Sequence, residues 1–597
     1  MTIHERIERL RTELGKDGLA GFLVPRADEH QGEYVPPRAQ RLAWLTGFTG
    51  SAGLAVVLTD RAAIFVDGRY TLQVRDEAPA DVFEYHHVTE SPPAEWLRPR
   101  LRQGDRLGYD PWLHTIESVE RLQTTCGKVG AVLVPVPENL VDRVWDDQPP
   151  PPRGSIVPHD LKHAGRPSPD KRREIGELLA HDAVDAVVLT APDSIAWLLN
   201  VRGSDVAHTP LPLAFAVVHR DATVDLFVDP GKPTPGLPEH LGEEVRVLAA
   251  DALGPALDRL GAARRTVQAD PSSTAAWIIE RLTAAGATVT RATDPCLLPK
   301  ATKNDVELAG ARSAHEKDGI ALTRFFAWLT REGPAGRLTE ITAAEHLDAL
   351  RAEEPLFRDV SFPTISGAGP NGAVVHYRAT PRTDRRIERG MLYLVDSGAQ
   401  YLDGTTDVTR TVAIGPPTAE QRDRFTRVLR GHIALAMARF PKGTTGSQLD
   451  ALARAPLWDA GLDYDHGTGH GVGSYLSVHE GPQRISKVGN SVALRPGMIV
   501  SNEPGYYKAG EYGIRIESLV VVAPVPAPPG GELTLYGFET LTLAPIDRTL
   551  VDPALLTPAE LAWLDAYHAR VREAITPKVD RETAAWLAQA TQPLTPP

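Results

Sequence analysis

The sequence predicts a multidomain protein of the α/β and α+β classes. The chain has 597 residues, which is more than a single hydrophobic core usually supports. Apolar segments bounded by glycine alternate with helix-like stretches in the first half, whereas the second half is richer in strands. Four consecutive prolines at 149–152 interrupt the first half. These observations indicate several cores joined by connectors.

The first predicted domain, 1–150, begins with a helix. In "MTIHERIERLRTELGKDG" the apolar residues Ile3, Ile7 and Leu10 share one helical face, and this stretch has no apolar signal-peptide core. "GLAGFLVP" and "GLAVVLTDRAAIFVDGRYTLQV" indicate strands bounded by glycine. The segment "QPPPPRGSIVPHD" at 148–160 ends the domain, because consecutive prolines favour an extended connector.

The second predicted domain, 158–300, repeats that order of elements. A charged helix, "PDKRREIGELLAHDAV", is followed by a strand, "DAVVLT", and by a helix-like stretch, "DSIAWLLN". The segments "LAFAVVHR" and "ATVDLFVD" then indicate two further strands. This similarity in order predicts a duplicated α/β unit.

The third predicted domain, 301–548, opens with a long helix at 305–332. Beyond about residue 360 it is strand-rich, with "TTDVTRTVAI" and "YGIRIESLVVV" separated by the helical segment "AEQRDRFTRVLRGHIALAMARF". The remaining residues, 549–597, form a helical extension in which "TP" supplies an N-cap and a first-turn proline.

Composition excludes several classes of protein. A hydrophobic content of 42% and a charged content of 24% are typical of a soluble globular protein. The formal net charge of −13 argues against a broad basic surface for nucleic acid. Cys126 and Cys296 cannot build a disulfide framework, and no apolar run approaches the roughly 20 residues of a membrane span. We expect a cytoplasmic protein with no nucleic-acid or membrane partner.

The motif "HGTGHGVG" at 466–473 places two histidines in a glycine-rich segment. Its glycine spacing does not fit a dinucleotide-binding loop, and it lacks the Gly-Lys-Ser/Thr of a phosphate-binding loop. The zinc-protease signature His-Glu-x-x-His and the hydrolase elbow Gly-x-Ser-x-Gly do not occur in the chain. Glycines around His466 and His470 would instead allow backbone or substrate to approach closely.

Four carboxylates interrupt or end apolar strands, where burying an unpaired charge would be costly. Asp396 ends "MLYLVD" and Asp407 follows a turn signal at Asp403-Gly404, as expected for two strands of one hairpin. Glu503 and Glu517 repeat this layout across "GYYKAGEYG". Four acids and one imidazole are therefore expected to converge.

Converging carboxylates repel one another unless cations lie between them, so we expect two divalent metal ions per chain. Oxygen-rich ligation with a single imidazole favours manganese, with zinc or cobalt left open. Two such ions would generate a bound hydroxide at neutral pH and polarise a carbonyl, and both effects are required for metal-assisted hydrolysis.

The motifs "VDSGAQYLDGTTDVTRT", "HGTGHGVGSYLSVHEGP", "SNEPGYY" and "GIRIE" resemble those of the pita-bread metallopeptidases. "FTGSAGLAVVLTDRAAIFVDGRY" and "AWLLNVRGSDVAHTPL" resemble the three-domain cytosolic type of aminopeptidase P. The resemblance implies two creatinase/prolidase-like N-terminal α/β domains, a pita-bread catalytic domain and a helical C-terminal extension. It also implies a homodimer.

The resemblance further implies roles for individual residues. Asp396 would bind one metal, Asp407 and Glu517 would bridge both, and His470 and Glu503 would complete the other. Glu503 would also be the general base. His376 and His479 match the family histidines that contact the substrate and steady the tetrahedral intermediate. His466 matches a histidine that lines or supports the pocket, and Arg515 is a further candidate for substrate binding. For His466 a structural role is weighed equally, and for Arg515 a structural counter-charge is favoured.

The expected function is release of the N-terminal residue from peptides with proline second, by a hydroxide bridging two divalent metals. An X-Pro dipeptidase is the close alternative, against which the long N-terminal half argues weakly. A non-catalytic peptide-binding module is the alternative from another class, against which the full set of predicted ligands argues.

Overall fold

The computed structural model describes residues 1–594 of the chain. These residues form two compact units, of which the first comprises 1–161 and 166–297 and the second comprises 162–165 and the residues from 298 onward. The first unit spans both predicted N-terminal domains, so the predicted boundary between those domains stays a prediction. Within the described part of the chain, no helix is both long enough and apolar enough to cross a bilayer.

The first half of the first unit contains a six-stranded sheet. Its helices are α1 (Ile3–Asp17), α2 (Arg41–Thr46), α3 (Gln73–Glu77), α4 (Pro93–Leu97), α5 (Ile116–Gly127) and α6 (Leu140–Val144). Its strands are β1 (Gly21–Pro25), β2 (Leu54–Leu58), β3 (Ala62–Val66), β4 (Phe83–His87), β5 (Arg106–Tyr109) and β6 (Val132–Pro135).

Helix α1 confirms the predicted N-terminal helix. It begins at Thr2, whose hydroxyl accepts a hydrogen bond from the backbone N–H of Glu5 while the Glu5 carboxylate accepts from the backbone N–H of Thr2. It ends at Gly18, which adopts a left-handed φ of 62°. Ile7 and Leu10 are buried in the core that also contains residues of β1, β2 and β3. The predicted apolar face is therefore the face that packs.

The second half of the first unit contains another six-stranded sheet and a short two-stranded one. Helix α7 (Leu161–Ala164) falls mostly within residues 162–165, which belong to the second unit. The helices of this half are α8 (Ser168–His181), α9 (Pro192–Leu199), α10 (Leu237–Leu241), α11 (Leu253–Ala262) and α12 (Ala276–Ala285). The strands are β7 (Val157–Pro158), β8 (Ala186–Leu189), β9 (Val201–Arg202), β10 (Phe215–His219), β11 (Val224–Phe227), β12 (Val245–Leu248), β13 (Thr266–Ala269) and β14 (Thr288–Arg291).

The two six-stranded sheets have the same topology. Their strand orders are β4-β3-β2-β1-β5-β6 and β12-β11-β10-β8-β13-β14. In each sheet the third strand in this order, β2 or β10, is antiparallel to both of its neighbours. All other neighbouring strands in the two sheets are parallel. The duplicated α/β unit predicted from the order of elements is confirmed.

The second unit is strand-rich, as predicted. Its helices are α13 (Leu297–Ala301), α14 (Asp305–Glu332), α15 (Glu340–Ala352), α16 (Ala419–Ala436), α17 (Gly446–Trp458), α18 (Pro558–Ile575) and α19 (Arg581–Ala590). Its strands are β15 (Phe357–Val360), β16 (Ile365–Ala368), β17 (Leu392–Ser397), β18 (Ala399–Tyr401), β19 (Gly404–Thr405), β20 (Val408–Ala413), β21 (Phe440–Pro441), β22 (Gly469–Gly471), β23 (Glu480–Ile485), β24 (Ile499–Asn502), β25 (Gly505–Lys508), β26 (Tyr512–Arg515), β27 (Ser518–Val525) and β28 (Leu535–Thr540).

Two sheets of this unit carry the candidate site. Strands β16, β17 and β20 form one, with β17 in the middle, and the other has the order β21-β28-β27-β24-β22-β23. Helices α14, α16 and α18 confirm the three long helices predicted from apolar periodicity. Helix α18 also has the predicted cap, since the hydroxyl of Thr557 accepts from the backbone N–H of Glu560.

The turn between Asp396 and Asp407 lies one residue earlier than predicted. Tyr401 pairs with Gly404, so the turn residues are Leu402 and Asp403 and the glycine belongs to strand β19. The reason is packing against α14: a Cβ on Gly404 would lie 3.0 Å from that of Ala314. Glycine is used here for close approach of a helix rather than for turn geometry.

Candidate metal centre

The predicted metal ligands lie at the ends and interruptions of strands. Asp396 is near the end of β17, and Asp407 immediately precedes β20. His470 is the middle residue of β22, and Glu503 directly follows β24. Glu517 lies in the break between β26 and β27. Because β17 pairs with β20 and β24 pairs with both β22 and β27, the sheets bring these positions together.

The side chains converge in three overlapping groups. Within each group the potential ligand atoms lie within 4.8 Å of one another, and the groups are Asp396–Asp407–Glu517, His470–Glu503–Glu517 and Asp407–His470–His479. Nε2 of His470 lies 3.4 Å from Oδ2 of Asp407 and 3.5 Å from Oε1 of Glu503. The four acids and the one imidazole that were predicted to converge therefore lie close together in the structure. The presence of His479 in one group was not predicted.

The orientation of His470 follows from backbone contacts. Its Nδ1 lies 3.0 Å from the carbonyl oxygen of Gly471, an arrangement in which Nδ1–H donates and Nε2 faces the acids. Its backbone N–H donates to Oγ of Ser501 at 2.9 Å. Burial by itself would lower the pKa of His470, but the hydrogen bond to Asp407 and the nearby Glu503 outweigh it and raise this pKa to about 9.

The glycines of the motif serve close backbone approach. A Cβ on Gly469 would lie 2.0 Å from the carbonyl oxygen of Ser501 on the neighbouring strand β24. A Cβ on Gly471 would lie 2.6 Å from the carbonyl oxygen of Glu480 on β23. The bare backbone therefore lets β22 fit tightly between β24 and β23, with His470 held in the centre.

The electrostatics of the acids fit divalent cations. Asp396, Asp407 and Glu517 are 7%, 3% and 2% exposed, so water screens them little. Burial raises the pKa of Asp396 to about 6, although Arg515 opposes the shift. Burial and the neighbouring acids, Asp407 foremost, raise the pKa of Glu517 well above its ordinary value. Among the described residues, Oδ1 of Asp396 has no hydrogen-bond donor. A buried acceptor without a donor in an acid cluster is what cation ligation would satisfy.

A hydrogen-bonded chain leads away from Asp396. Nη2 of Arg515 donates to Oδ2 of Asp396 at 2.6 Å, and Nη1 of Arg515 donates to the hydroxyl oxygen of Tyr507 at 2.6 Å. The Tyr507 hydroxyl lies 2.9 Å from Nε2 of His466. Arg515 and His466, both predicted as substrate-binding residues, are thus connected to the acid cluster through side chains, and Arg515 pairs directly with an acid.

The two remaining predicted histidines occupy different positions. The ring centroids of His479 and His470 are 4.2 Å apart in an edge-to-face arrangement, so His479 borders the acid cluster directly. His376 follows the turn after β16 and is partly buried. It is connected to the cluster through its neighbour, because Nη2 of Arg515 also donates to the carbonyl oxygen of Val375 at 3.3 Å.

Three polar residues at the site were not predicted. Tyr507 links Arg515 to His466, and Oγ1 of Thr409 donates to Oε2 of Glu517 at 2.8 Å. Oγ of Ser501 donates to Oε1 of Glu503 at 2.9 Å. Alternation along the strand offered a signal for two of them, since Ser501 and Thr409 each lie two residues from a predicted ligand and share its face.

Four segments of the chain match family models. Residues 309–524 match Metallopeptidase family M24, and residues 534–594 match the C-terminal region of peptidase M24. Residues 6–144 and 147–307 each match the Creatinase/Prolidase N-terminal domain. The predicted fold class, with two such N-terminal domains, a pita-bread catalytic domain and a helical C-terminal region, is confirmed.

Relatives match over almost the full chain. Aminopeptidase P2 of Arabidopsis thaliana is 41% identical over 99% of this chain and 88% of its own length. A probable Xaa-Pro aminopeptidase P of Aspergillus flavus is 40% identical over 99% of this chain and 92% of its own. The crystal structure of an X-prolyl aminopeptidase from Caenorhabditis elegans, described as a cytosolic enzyme with a dinuclear active site, covers 100% of both chains with a TM-score of 0.94 and 33% identity.

The family resemblance expected from the motifs is therefore confirmed, and so is the expectation of an enzyme. The chain belongs to metallopeptidase family M24, within the group of Xaa-Pro aminopeptidases that carry two creatinase/prolidase N-terminal domains.

Proposed function

We propose that this protein releases the N-terminal residue from peptides that have proline in the second position. The observation that carries the proposal is the convergence of Asp396, Asp407, His470, Glu503 and Glu517 in overlapping groups of potential ligands. The names of the Aspergillus flavus relative, a probable Xaa-Pro aminopeptidase P, and of the C. elegans X-prolyl aminopeptidase supply the substrate class.

The five converging residues would hold two divalent metal ions. We assign Asp396 to one ion, Asp407 and Glu517 to both, and His470 and Glu503 to the other. The oxygen-rich donor set with one imidazole favours manganese over zinc or cobalt. When bound, such ions supply Lewis acidity, polarising a carbonyl and making water acidic near neutral pH.

Glu503 is assigned the proton transfer. Its carboxylate lies at the edge of the cluster, where Oε1 already accepts from Oγ of Ser501 at 2.9 Å. That hydrogen bond fixes the carboxylate and leaves Oε2 to accept a proton from the attacking water. The same group then donates the proton to the leaving nitrogen of proline, because the amine must gain a proton as the C–N bond breaks.

His376 and His479 are assigned the contacts with the reacting amide. An imidazole N–H directed at the carbonyl oxygen stabilises the negative charge that develops there in the tetrahedral intermediate. His466, buried against Tyr507, lines or supports the pocket. Arg515 is 2% exposed and its nitrogens contact Asp396, Thr409, Tyr507 and Val375, so we favour a counter-charge role over direct substrate contact.

A dedicated site for X-Pro bonds has a chemical reason. Proline lacks a backbone N–H, so a protease that recognises the scissile amide by that group loses a hydrogen bond. A centre that polarises the carbonyl does not need the N–H. The X-Pro dipeptidase alternative shares this chemistry and differs in the length of peptide that it accepts.

The test is product analysis by mass spectrometry with metal-stripped and manganese-restored protein. Its paired substrates are an X-Pro dipeptide and a longer peptide that begins X-Pro. Manganese-dependent loss of only the first residue from the longer peptide supports the proposal, whereas cleavage of the dipeptide alone supports the dipeptidase. Cleavage of neither substrate favours the non-catalytic peptide-binding module.

A homodimer and a cytoplasmic location complete the proposal. The location is supported by the C. elegans neighbour, which is described as a cytosolic enzyme. The homodimer rests on the family resemblance, and sedimentation of the purified protein tests it: a single species near 65 kDa, the mass of one chain of 64.7 kDa, would contradict it.

A further inference from the structure

The carboxylate of Glu340 is a buried hub beside the segment that carries His376. Glu340 is the first residue of α15 and is 0% exposed. Four donors surround its two oxygens. They are the backbone N–H groups of Ala368 at 2.7 Å and Arg385 at 3.0 Å, the side-chain amide of Asn371 at 2.9 and 3.0 Å, and the hydroxyl of Tyr377 at 2.8 Å.

All four donors belong to residues 368–385, a segment of the chain that contains His376. The backbone of Glu340 adds to the same connection, because its N–H donates to the carbonyl oxygen of Arg385 at 3.0 Å. One side chain therefore gathers the beginning, the middle and the end of the segment.

A carboxylate is the one side chain of this shape that can satisfy all four donors. A glutamine at 340 would turn an NH₂ group toward either Ala368 or Arg385, and a backbone N–H cannot accept a hydrogen bond. One buried N–H would then lose its partner. The acid is therefore specified by the contacts of the segment.

His376 lies between two anchored neighbours. On one side, the carbonyl oxygen of Val375 accepts from Nη2 of Arg515, which also pairs with Asp396 in the acid cluster. On the other side, the Tyr377 ring is 7% exposed and its hydroxyl lies 2.8 Å from Glu340 and 3.0 Å from the carbonyl oxygen of Thr383. The backbone of His376 is thus fixed from the metal centre and from α15.

We propose that Glu340 is a positioning residue, which acts through Tyr377 to hold His376 at the place where it meets the substrate carbonyl. The inference rests on the proposed function, because it assigns His376 to the reacting amide. Glu340 itself touches no substrate. Its contribution is to fix the backbone on either side of the imidazole, so that the ring is ordered before the peptide arrives.

The first test replaces the hydroxyl that links the two residues. Tyr377→Phe removes the contact with Glu340 and keeps the ring, and we expect kcat/KM for an X-Pro peptide to fall about tenfold, mostly in kcat, with two metal ions per chain retained. Tyr393→Phe is the matched control. Tyr393 is also buried, and its hydroxyl lies 2.6 Å from Oγ of Ser366, yet it does not flank His376. It should change kcat/KM less than about twofold.

A double-mutant cycle separates positioning from general support of the fold. If Tyr377 acts through His376, Tyr377→Phe should have no further effect in a His376→Ala background. An equal loss in both backgrounds, or no loss in the wild-type background, would overturn the proposal. The same four proteins are also compared in their affinity for a reduced-amide X-Pro peptide, measured by calorimetry. The cycle can then be interpreted even if His376→Ala has no measurable turnover.

Hydrogen exchange provides a readout that does not depend on activity. Amides of residues 368–385 should exchange faster in Tyr377→Phe and in Glu340→Gln than in Tyr393→Phe, and unchanged exchange would contradict the proposed anchoring. Failure of the proposed function looks different. In that case the unmodified protein with manganese would cleave no X-Pro peptide, whatever the exchange of this segment.

Discussion

Nη2 of Arg515 lies 2.6 Å from Oδ2 of Asp396, so a permanent cation is built among the acids of the candidate metal centre. Arginine stays charged throughout the physiological pH range, and its planar group can also contact Tyr507 and Val375. One guanidinium offsets one carboxylate and leaves the other acids without a permanent counter-charge. This excess of acids is the physical reason to expect that activity depends on added metal ions.

Asp407→Asn should nearly abolish turnover. Asp407 belongs to two of the three groups of potential ligands, and an amide is a weaker ligand than a carboxylate. We expect kcat/KM to fall at least about 100-fold and the metal content to fall below two ions per chain, measured by plasma mass spectrometry. Asp403→Asn in the same hairpin is the control, because Asp403 pairs with Lys317 instead. Full activity of Asp407→Asn would show that the ligand assignment is wrong.

Metal loading should release protons. In the metal-free protein the pKa of His470 is raised to about 9, so its imidazole is protonated at pH 7 and must lose that proton to bind a cation. The apparent affinity for Mn²⁺ should therefore rise as pH rises from 7 toward 9. Calorimetric titration at pH 7 in two buffers of different ionisation enthalpy measures the release, and we expect about one proton or more per chain. Equal heats in both buffers would contradict this expectation.

Tyr507→Phe should impair catalysis while sparing the metal ions. Its hydroxyl connects Arg515 to His466, and burial raises its pKa to about 12, so it remains a neutral phenol. Loss of the link should lower kcat about tenfold through misplacement of these two side chains. Tyr506→Phe is the matched control on the same strand, since the Tyr506 ring stacks with Arg424 instead. Similar kinetics for the two variants would argue against the link.

Gly469→Ala should disrupt the centre, whereas Gly467→Ala in the same motif should not. A Cβ at 469 would lie 2.0 Å from the carbonyl oxygen of Ser501, so β22 and β24 would have to separate. A Cβ at 467 meets nothing closer than 3.7 Å. We expect Gly469→Ala to cost about 1–3 kcal/mol of unfolding free energy and to weaken metal binding. Thermal melts with metal analysis test the pair, and equal behaviour of the two variants would be the contrary result.

Acid should destabilise the protein through His568. Burial, together with the charges of nearby arginines, lowers the pKa of His568 to about 3. The Nε2 atom of His568 accepts a hydrogen bond from the backbone N–H of Ile546. In the unfolded chain the imidazole of His568 binds a proton as pH falls through about 6.5, whereas in the folded chain it stays neutral until about pH 3. Stability is therefore lost as pH falls from 6.5 toward 3, by up to about 1.4 kcal/mol per pH unit from this group.

The measurement for this prediction is urea unfolding at pH 7.5 and pH 5. His568→Gln keeps an acceptor for Ile546 but cannot titrate, so its stability should fall less between the two pH values than that of the wild type. His181→Gln, at an exposed position, is the control, and its stability should fall between the two pH values by as much as that of the wild type. If His568→Gln matches the wild type, His568 is not the titrating group.

The sequence was sufficient for the long helices, for several of the strands and for the identity of the acids. Apolar periodicity predicted the long helices, and the one cap predicted from the sequence, Thr557, is present in the structure. Asp396, Asp407, Glu503 and Glu517 stood out because a charge in an apolar strand needs a local explanation. Where prediction failed, as at Gly404, a distant helix decided the local conformation.

The sequence by itself determined which residue types recur at which strand positions, and hence the duplicated α/β unit, the family and the candidate ligands. Only the tertiary structure decided their partners. Arg515 and Asp396 are 119 residues apart, and Thr409 and Glu517 are 108 apart. Periodicity reports on neighbours within a helix or a strand pair, whereas these contacts depend on how separate sheets pack. The chain from Asp396 to His466 and the hub at Glu340 could therefore be found only in the folded molecule.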